Sequence, residues 1–169
     1  NYNTVVGDEA GTAITTGGTN SFFGYSAGDA TTTGNSNTAV GRLSLSTNTT
    51  GSNNTALGTN TLYLATTATY NTAIGGSAGA AITTGVQNTL IGGLAGDALT
   101  DADYNVALGY SALSTNVLGS RSTAIGNNAL LTQNPASAAD MYNVGVGHNA
   151  GRAITTGIKN TLIGGLAGD

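Results

Sequence analysis

The sequence contains no cysteine, no tryptophan and only one proline, and charged residues make up 7% of its 169 residues. The absence of cysteine excludes disulfide bonds and thiolate metal sites. With a single histidine, His148, and eight acids, the chain has few groups for acid–base catalysis, and we expect a protein that is not an enzyme and carries no cofactor.

Basic and long apolar stretches are also missing. The four cations are scattered through the chain (Arg42, Arg121, Arg152 and Lys159), which disfavours electrostatic binding of nucleic acid. No apolar run approaches the ~20 residues of a membrane span, so we expect no membrane insertion in this segment.

Glycine and threonine are abundant instead, and glycine alone accounts for 27 residues. High glycine content is compatible with disorder, but disorder usually combines low hydrophobicity with high net charge. This chain has a net charge of only -4 and 39% hydrophobic residues, and those residues recur in a strict register. The composition therefore favours an ordered, repetitive fold.

The register is a ten-fold repeat of the phrase seen at Asn71–Gly79. The step between copies is constant at 17, as from Asn71 to Asn88, except for one step of 21. The longer step implies a four-residue insertion in the 131–141 stretch around Pro135. The repeats begin at Asn3, Asn20, Asn37, Asn54, Asn71, Asn88, Asn105, Ser122, Asn143 and Asn160. A short fixed period with glycine punctuation and β-branched residues predicts an all-β parallel β-solenoid, with residues 1–169 as one array of ten coils within a longer chain.

Each coil is numbered below from its first residue as place zero. Place three is always a large apolar residue, and the pattern predicts an inward-facing core ladder: Val6, Phe23, Val40, Leu57, Ile74, Ile91, Leu108, Ile125, Val146 and Ile163. Place four is always glycine, which predicts a turn that a Cβ would obstruct: Gly7, Gly24, Gly41, Gly58, Gly75, Gly92, Gly109, Gly126, Gly147 and Gly164.

Place zero predicts a ladder of asparagine amides along the solenoid axis, since stacked β structures use such ladders. Its members are Asn3, Asn20, Asn37, Asn54, Asn71, Asn88, Asn105, Asn143 and Asn160. Ser122 interrupts the ladder in the coil that also carries the insertion, so we expect the column to be weakest there.

Place eight alternates between pairs of glycines and pairs of leucines, which gives a slower period of four coils. Ile14, Ile82 and Ile154 occur where place eight is glycine. Because protein interiors are close-packed, we expect one side chain to fill the volume that the other leaves.

Place two carries no charge in any coil. If place three faces inward, place two faces outward, because neighbouring strand residues point to opposite sides. An apolar outward stripe predicts lateral contact between identical chains at Val5, Phe22, Leu90 and Leu162, most simply in a homotrimer, while a harmless alanine stripe on a monomer is the alternative.

Two patterns suggest ligands weakly. Asp97, Asp101 and Asp103 are the one local concentration of acid and make a weak Ca²⁺ candidate, with a solvated loop favoured. Place twelve is threonine in six successive coils (Thr15 to Thr100), which permits an ice-binding interpretation, but we expect structural threonine ladders instead.

The Asn-Thr-Ala-Ile-Gly phrase followed by small residues resembles the head repeats of trimeric autotransporter adhesins (YadA-like). It is also similar to repeats in bacteriophage tail fibres and large bacterial surface proteins. The resemblance spans the whole chain and implies a left-handed parallel β-roll, a trimer and an exported role.

We therefore expect a non-enzymatic, extracellular structural or adhesive fibre on a cell or virion surface. The alternatives are a phage tail-fibre shaft or receptor-binding segment and an ice-binding β-solenoid. The expected partners are copies of the same chain, in a homotrimer or an end-to-end filament, and a host-surface glycan or protein. The variable turns at places five and six are where we expect any lateral ligand to bind.

Overall fold

The computed structural model describes residues 1–169 and contains no α-helix. One strand of three residues recurs in every coil, always at places one to three. These strands are β1 Thr4–Val6, β2 Ser21–Phe23, β3 Thr38–Val40, β4 Thr55–Leu57, β5 Thr72–Ile74, β6 Thr89–Ile91, β7 Val106–Leu108, β9 Thr123–Ile125, β11 Val144–Val146 and β12 Thr161–Ile163. Two further strands of two residues are β8 Gly119–Ser120 and β10 Ala139–Asp140.

The ten recurring strands form one parallel sheet whose order follows the chain. Each strand pairs in register with the strand one coil further on, as Ala56 does with Ala73. The offset equals the repeat length in every pair except that of β9 and β11, where Thr123 lies opposite Val144. The predicted β-solenoid is confirmed.

The coil with the insertion keeps its register up to Asn134 and regains it at Val144. The backbone N–H of Asn134 still donates to the carbonyl of Thr155 at the same place in the next coil. The chain then pairs again with the preceding coil at Ala139, through β10 and β8. Ala139 lies opposite Gly119, an offset of 20, so three of the four extra residues lie within Pro135–Ala138, inside the predicted stretch. The fourth lies between Asp140 and Val144, where the offset becomes 21.

The predicted assignment of the two strand faces is wrong. Place two lies in the core, where Phe22, Ala56 and Leu90 are fully buried. Place three faces outward, and Leu57 and Leu108 are each 44% exposed. The ten place-three residues therefore form an outer stripe rather than a core ladder. Phe22 and Leu90 cannot be lateral contacts, while Val5 and Leu162 occupy the same inward place in the two outermost coils.

The volume available inside the coil explains the inversion. Places seven, eight, eleven and fourteen also point inward, as Ala78, Leu62, Ile82 and Ala68 show. The cross-section of one coil has no room for a large residue at every place-two position as well. The outward face has no such limit, so the uniformly large residues lie there and the mixed column of alanine and larger residues lies inside.

The interior is packed by compensation between places two, eight and eleven. A Cβ at Gly28 would overlap the ring of Phe22, and one at Gly79 would lie 2.8 to 3.1 Å from Leu90, Leu62 and Ile82. In four of the five coils with alanine at place two, leucine at place eight takes the space instead. In the fifth, which has Ala73 and Gly79, Ile82 at place eleven and the leucines of the two neighbouring coils fill it. The predicted exchange of volume, including the role of Ile82, is confirmed.

The place-four glycines are required for two reasons. Their φ angles lie between 126 and 142°, a region that residues with a Cβ rarely adopt. The backbone of the next coil also passes close to them, so that a Cβ at Gly41 would lie 2.6 Å from the carbonyl oxygen of Gly58. The predicted turn glycines are confirmed.

Candidate interaction surfaces

The largest regular surface is the outer side of the ten-stranded sheet, which we call the sheet face. It consists of the residues at places one and three of every coil. Place one is Thr, Ser or Val, and place three is Val, Phe, Leu or Ile, so the sheet face carries no charge. The strands are thus apolar on both sides, as the sequence indicates, but the apolar stripe left uncovered is place three.

The asparagine ladder links the neighbouring coils of this sheet by side-chain hydrogen bonds. In eight of the ten coils the side-chain Oδ1 accepts the backbone N–H of the next coil's place-zero residue, and Nδ2 donates to the place-fourteen carbonyl of its own coil. For Asn71 these bonds join Asn88 N at 2.9 Å and Gly85 O at 2.8 Å. Direct amide-to-amide bonds also occur, for example from Asn88 to Asn71 at 3.1 Å. The predicted ladder is confirmed.

Gln133 repairs the ladder where Ser122 interrupts it. The Gln133 side chain is fully buried, and its Oε1 accepts from the Ser122 hydroxyl at 3.1 Å and from Asn143 Nδ2 at 2.8 Å. Its Nε2 has no partner. A glutamine from place eleven of the same coil thus bridges the gap, which sequence analysis missed because the two residues are eleven positions apart.

The place-twelve threonines form a structural ladder. Each hydroxyl from Thr15 to Thr100 donates to the backbone carbonyl at place twelve of the next coil, at 3.0 to 3.3 Å. These hydroxyl donors are therefore used within the chain, which confirms the preference for structural ladders at this place.

The three aspartates of the weak Ca²⁺ candidate have separate partners. Asp97 accepts from the Ser114 hydroxyl, Asp101 from the Thr100 hydroxyl, and Asp103 from the backbone N–H of Val86. No group of three or more acidic, histidine or cysteine side chains is placed to hold a metal ion. The three carboxylates do not form a shared Ca²⁺ site.

The variable turns at places five and six are exposed in part. Tyr25, Tyr110 and His148 are exposed, whereas Ser26 and Ser111 at place six are buried. The Ser26 hydroxyl donates to the carboxylate of Glu9 in the preceding coil. The structure contains no pocket that these turns line.

No protein-family model, no curated protein and no solved structure matches this chain. The fold contains no helix with the length and apolarity needed to cross a membrane.

Proposed function

We propose that this chain is a segment of a non-enzymatic extracellular fibre whose copies associate through the sheet face. The observation that carries the proposal is the uncharged stripe of ten large apolar side chains on the outside of a regular sheet. Exposed apolar stripes of this length are uncommon on monomeric proteins and mark interaction surfaces. Parallel strands that are apolar on both sides are normally covered on both sides.

The partner is a second copy of the same chain. Every coil presents the same two places at the same axial spacing of ~4.8 Å, so the stripes of two copies match along their length. Three sheet faces turned toward a common axis form a closed assembly that leaves no stripe in contact with water. A homotrimer is therefore the proposed state, and the resemblance to adhesin and phage-fibre repeats agrees with it.

The size of the sheet face sets the expected strength. Ten strands at ~4.8 Å spacing and three residues at ~3.3 Å give a face of roughly 50 by 10 Å. That area is smaller than the ~800 Å² per partner of a standard stable interface. We therefore expect the association of this segment to depend on protein concentration.

Light scattering over a range of concentrations tests the proposal, with a mass approaching three times 16.5 kDa as the expected limit. Leu57→Glu and Leu108→Glu place charge on the stripe and should return the mass to that of one chain. Thr67→Glu is the control, because Thr67 is exposed at place thirteen, outside the sheet face. A wild-type mass of one chain at every concentration would refute association, and threads in electron micrographs would favour an end-to-end filament instead.

A rod of this kind suits a bacterial surface adhesin or matrix filament, and a phage tail-fibre shaft is the alternative. The backbone hydrogen bonds between coils run along the axis, so the rod resists bending and can hold a binding tip away from a surface. Sequencing the flanking regions distinguishes the two, because a membrane-anchor domain identifies the first and a virion-attachment domain the second.

Ice binding is a second candidate, favoured by the outward threonine row at place one beside the apolar row at place three. A flat, rigid and uncharged array of hydroxyl and methyl groups is suited to ordering water. Thermal hysteresis of the wild-type chain that falls in Thr55→Tyr would support this function. Its absence at millimolar concentration would remove it.

A further inference from the structure

Four exposed side chains form one connected group beside the insertion, and we call them the insertion cluster: Tyr104, Arg121, Asp140 and Tyr142. The Arg121 guanidinium carbon lies 4.5 Å from the centroid of the Tyr104 ring. Arg121 Nε lies 3.0 Å from Asp140 Oδ1, and the Tyr142 hydroxyl donates to Asp140 Oδ2 at 3.2 Å. The group contains the chain's ion pair and its cation–π contact.

The cluster occurs where the repeat is least regular. The only insertion between coils lies between Asn134 and Val144, and Asp140, within that stretch, belongs to β10, whose pairing with β8 forms the second, short sheet. Ser122, which replaces the place-zero asparagine, follows Arg121 directly. In repeat folds, insertions fall on loops at one face, and that face is often the binding face. The irregularities thus converge on one exposed patch.

The groups left free in the cluster are hydrogen-bonding groups next to aromatic rings. The ion pair uses only Nε of Arg121, so its two terminal nitrogens remain available as donors. The side chains of Arg121 and Asp140 are 41% and 48% exposed. Tyrosine rings offer an apolar body with a polar tip at low cost in conformational entropy. This combination complements a ligand with apolar C–H surfaces and many hydroxyl groups.

The small area of the insertion cluster and the charge near it disfavour a protein, a nucleic acid or an acidic sugar as its partner. A stable protein interface needs roughly 800 Å² per partner with an apolar centre, which four polar and aromatic side chains do not provide. Asp101 and Asp103 directly precede Tyr104 in the chain, so the coils that supply the cluster carry three acids near one cation in sequence, of which Asp140 pairs with Arg121. This negative balance disfavours nucleic acids and acidic sugars.

We propose that the insertion cluster binds a neutral oligosaccharide. The ligand lies across Tyr104 and Tyr142 and takes hydrogen bonds from the terminal nitrogens of Arg121. The cluster belongs to one chain and lies outside the sheet face, so the proposal holds whether or not copies associate.

An array of immobilised neutral and sialylated oligosaccharides tests the proposal with the wild-type chain. We expect binding to neutral members and at least a tenfold weaker signal for their sialylated forms. Arg121→Lys keeps the positive charge but removes the planar donor group, and it should weaken binding at least tenfold. Tyr142→Ala should do the same. Tyr70→Ala is the control, because Tyr70 occupies the same place in another coil and lies outside the cluster.

Thermal unfolding of each variant separates loss of binding from loss of fold, and Tyr142→Phe keeps the ring if Tyr142→Ala unfolds. Absence of wild-type binding to any neutral oligosaccharide would overturn the proposal. Equal binding by Arg121→Lys and the wild type, or a preference for sialylated forms, would also overturn it. Binding to a glycoprotein that persists after its glycans are removed would identify a protein partner instead.

Discussion

The side-chain oxygen of Asn71 accepts the backbone N–H of Asn88, one coil further along the axis, at 2.9 Å. The same amide group donates to Gly85 within its own coil at 2.8 Å. One side chain therefore links two neighbouring coils and also connects the start of its own coil to a residue near its end, and both hydrogen bonds are buried. Because the bonds recur in most coils, the ladder contributes to stability along most of the solenoid.

Asn71→Ala should lower the free energy of unfolding by about 1–3 kcal/mol, because it leaves a buried N–H and a buried carbonyl without partners. Thr84→Ala is the matched control, since Thr84 is exposed in the same coil. Urea unfolding followed by circular dichroism measures both. Equal stability of the two variants would show that the ladder contributes nothing measurable.

Gly75 and Gly76 are neighbours, but the backbone geometry excludes a Cβ only at Gly75. Substituting each glycine in turn tests this account of the turn. Gly75→Ala should destabilise by at least ~2 kcal/mol, because φ is +126° and the new Cβ would lie 2.7 Å from the carbonyl oxygen of Gly92. Gly76 has no heavy atom within 4 Å of an added Cβ.

Gly76→Ala should therefore be neutral or stabilise by about 0.4–1 kcal/mol, since alanine restricts the unfolded chain. Thermal or chemical unfolding of the two variants side by side gives the comparison. A similar loss of stability in both would contradict the account of the turn.

Phe22 and Gly28 share one interior volume. Substituting both residues tests the compensation rule, by which a larger side chain at place eight fills the space that a smaller one at place two leaves. Phe22→Ala should cost about 3–5 kcal/mol by leaving a cavity. Adding Gly28→Leu recreates the combination of Ala39 and Leu45 in the next coil, where Leu45 is fully buried with a φ of 54°. We expect the double variant to recover part of the loss in a double-mutant cycle. Additive destabilisation would contradict the rule.

Ala56 and Leu57 test which strand face lies inside. Ala56→Leu should destabilise by about 1–3 kcal/mol or more, because Ala56 is fully buried and the core is filled. Leu57→Thr should change the stability of the isolated chain by about 0.5 kcal/mol or less, as surface substitutions do. Unfolding at low concentration measures the isolated chain. A larger loss of stability for Leu57→Thr than for Ala56→Leu would show that place three, and not place two, faces the core.

Periodicity made much of the fold predictable. The constant step between copies locates every strand in the ten-stranded sheet, the place-four glycines and the asparagine ladder, because identical coils that stack must bring identical places together. The insertion could be placed near Pro135 for the same reason. Ile82 could be matched to its glycine because their recurrence follows the four-coil rhythm.

The irregular features could not be predicted in this way. Gln133 bridges the gap at Ser122 through a contact that occurs in one coil only, so no column reveals it. The ion pair between Arg121 and Asp140 is likewise unique. The available signal was the coincidence of a lost asparagine, an insertion and neighbouring tyrosines, which marks a location without defining a contact.

The sequence by itself determined the period, the class of fold and the residues at the turns, since these depend on a pattern that repeats along the chain. Only the tertiary structure decided that Ala56 faces inward and Leu57 outward. Strand alternation allows either arrangement, and the choice depends on how the volumes of places two, seven, eight, eleven and fourteen fill one cross-section.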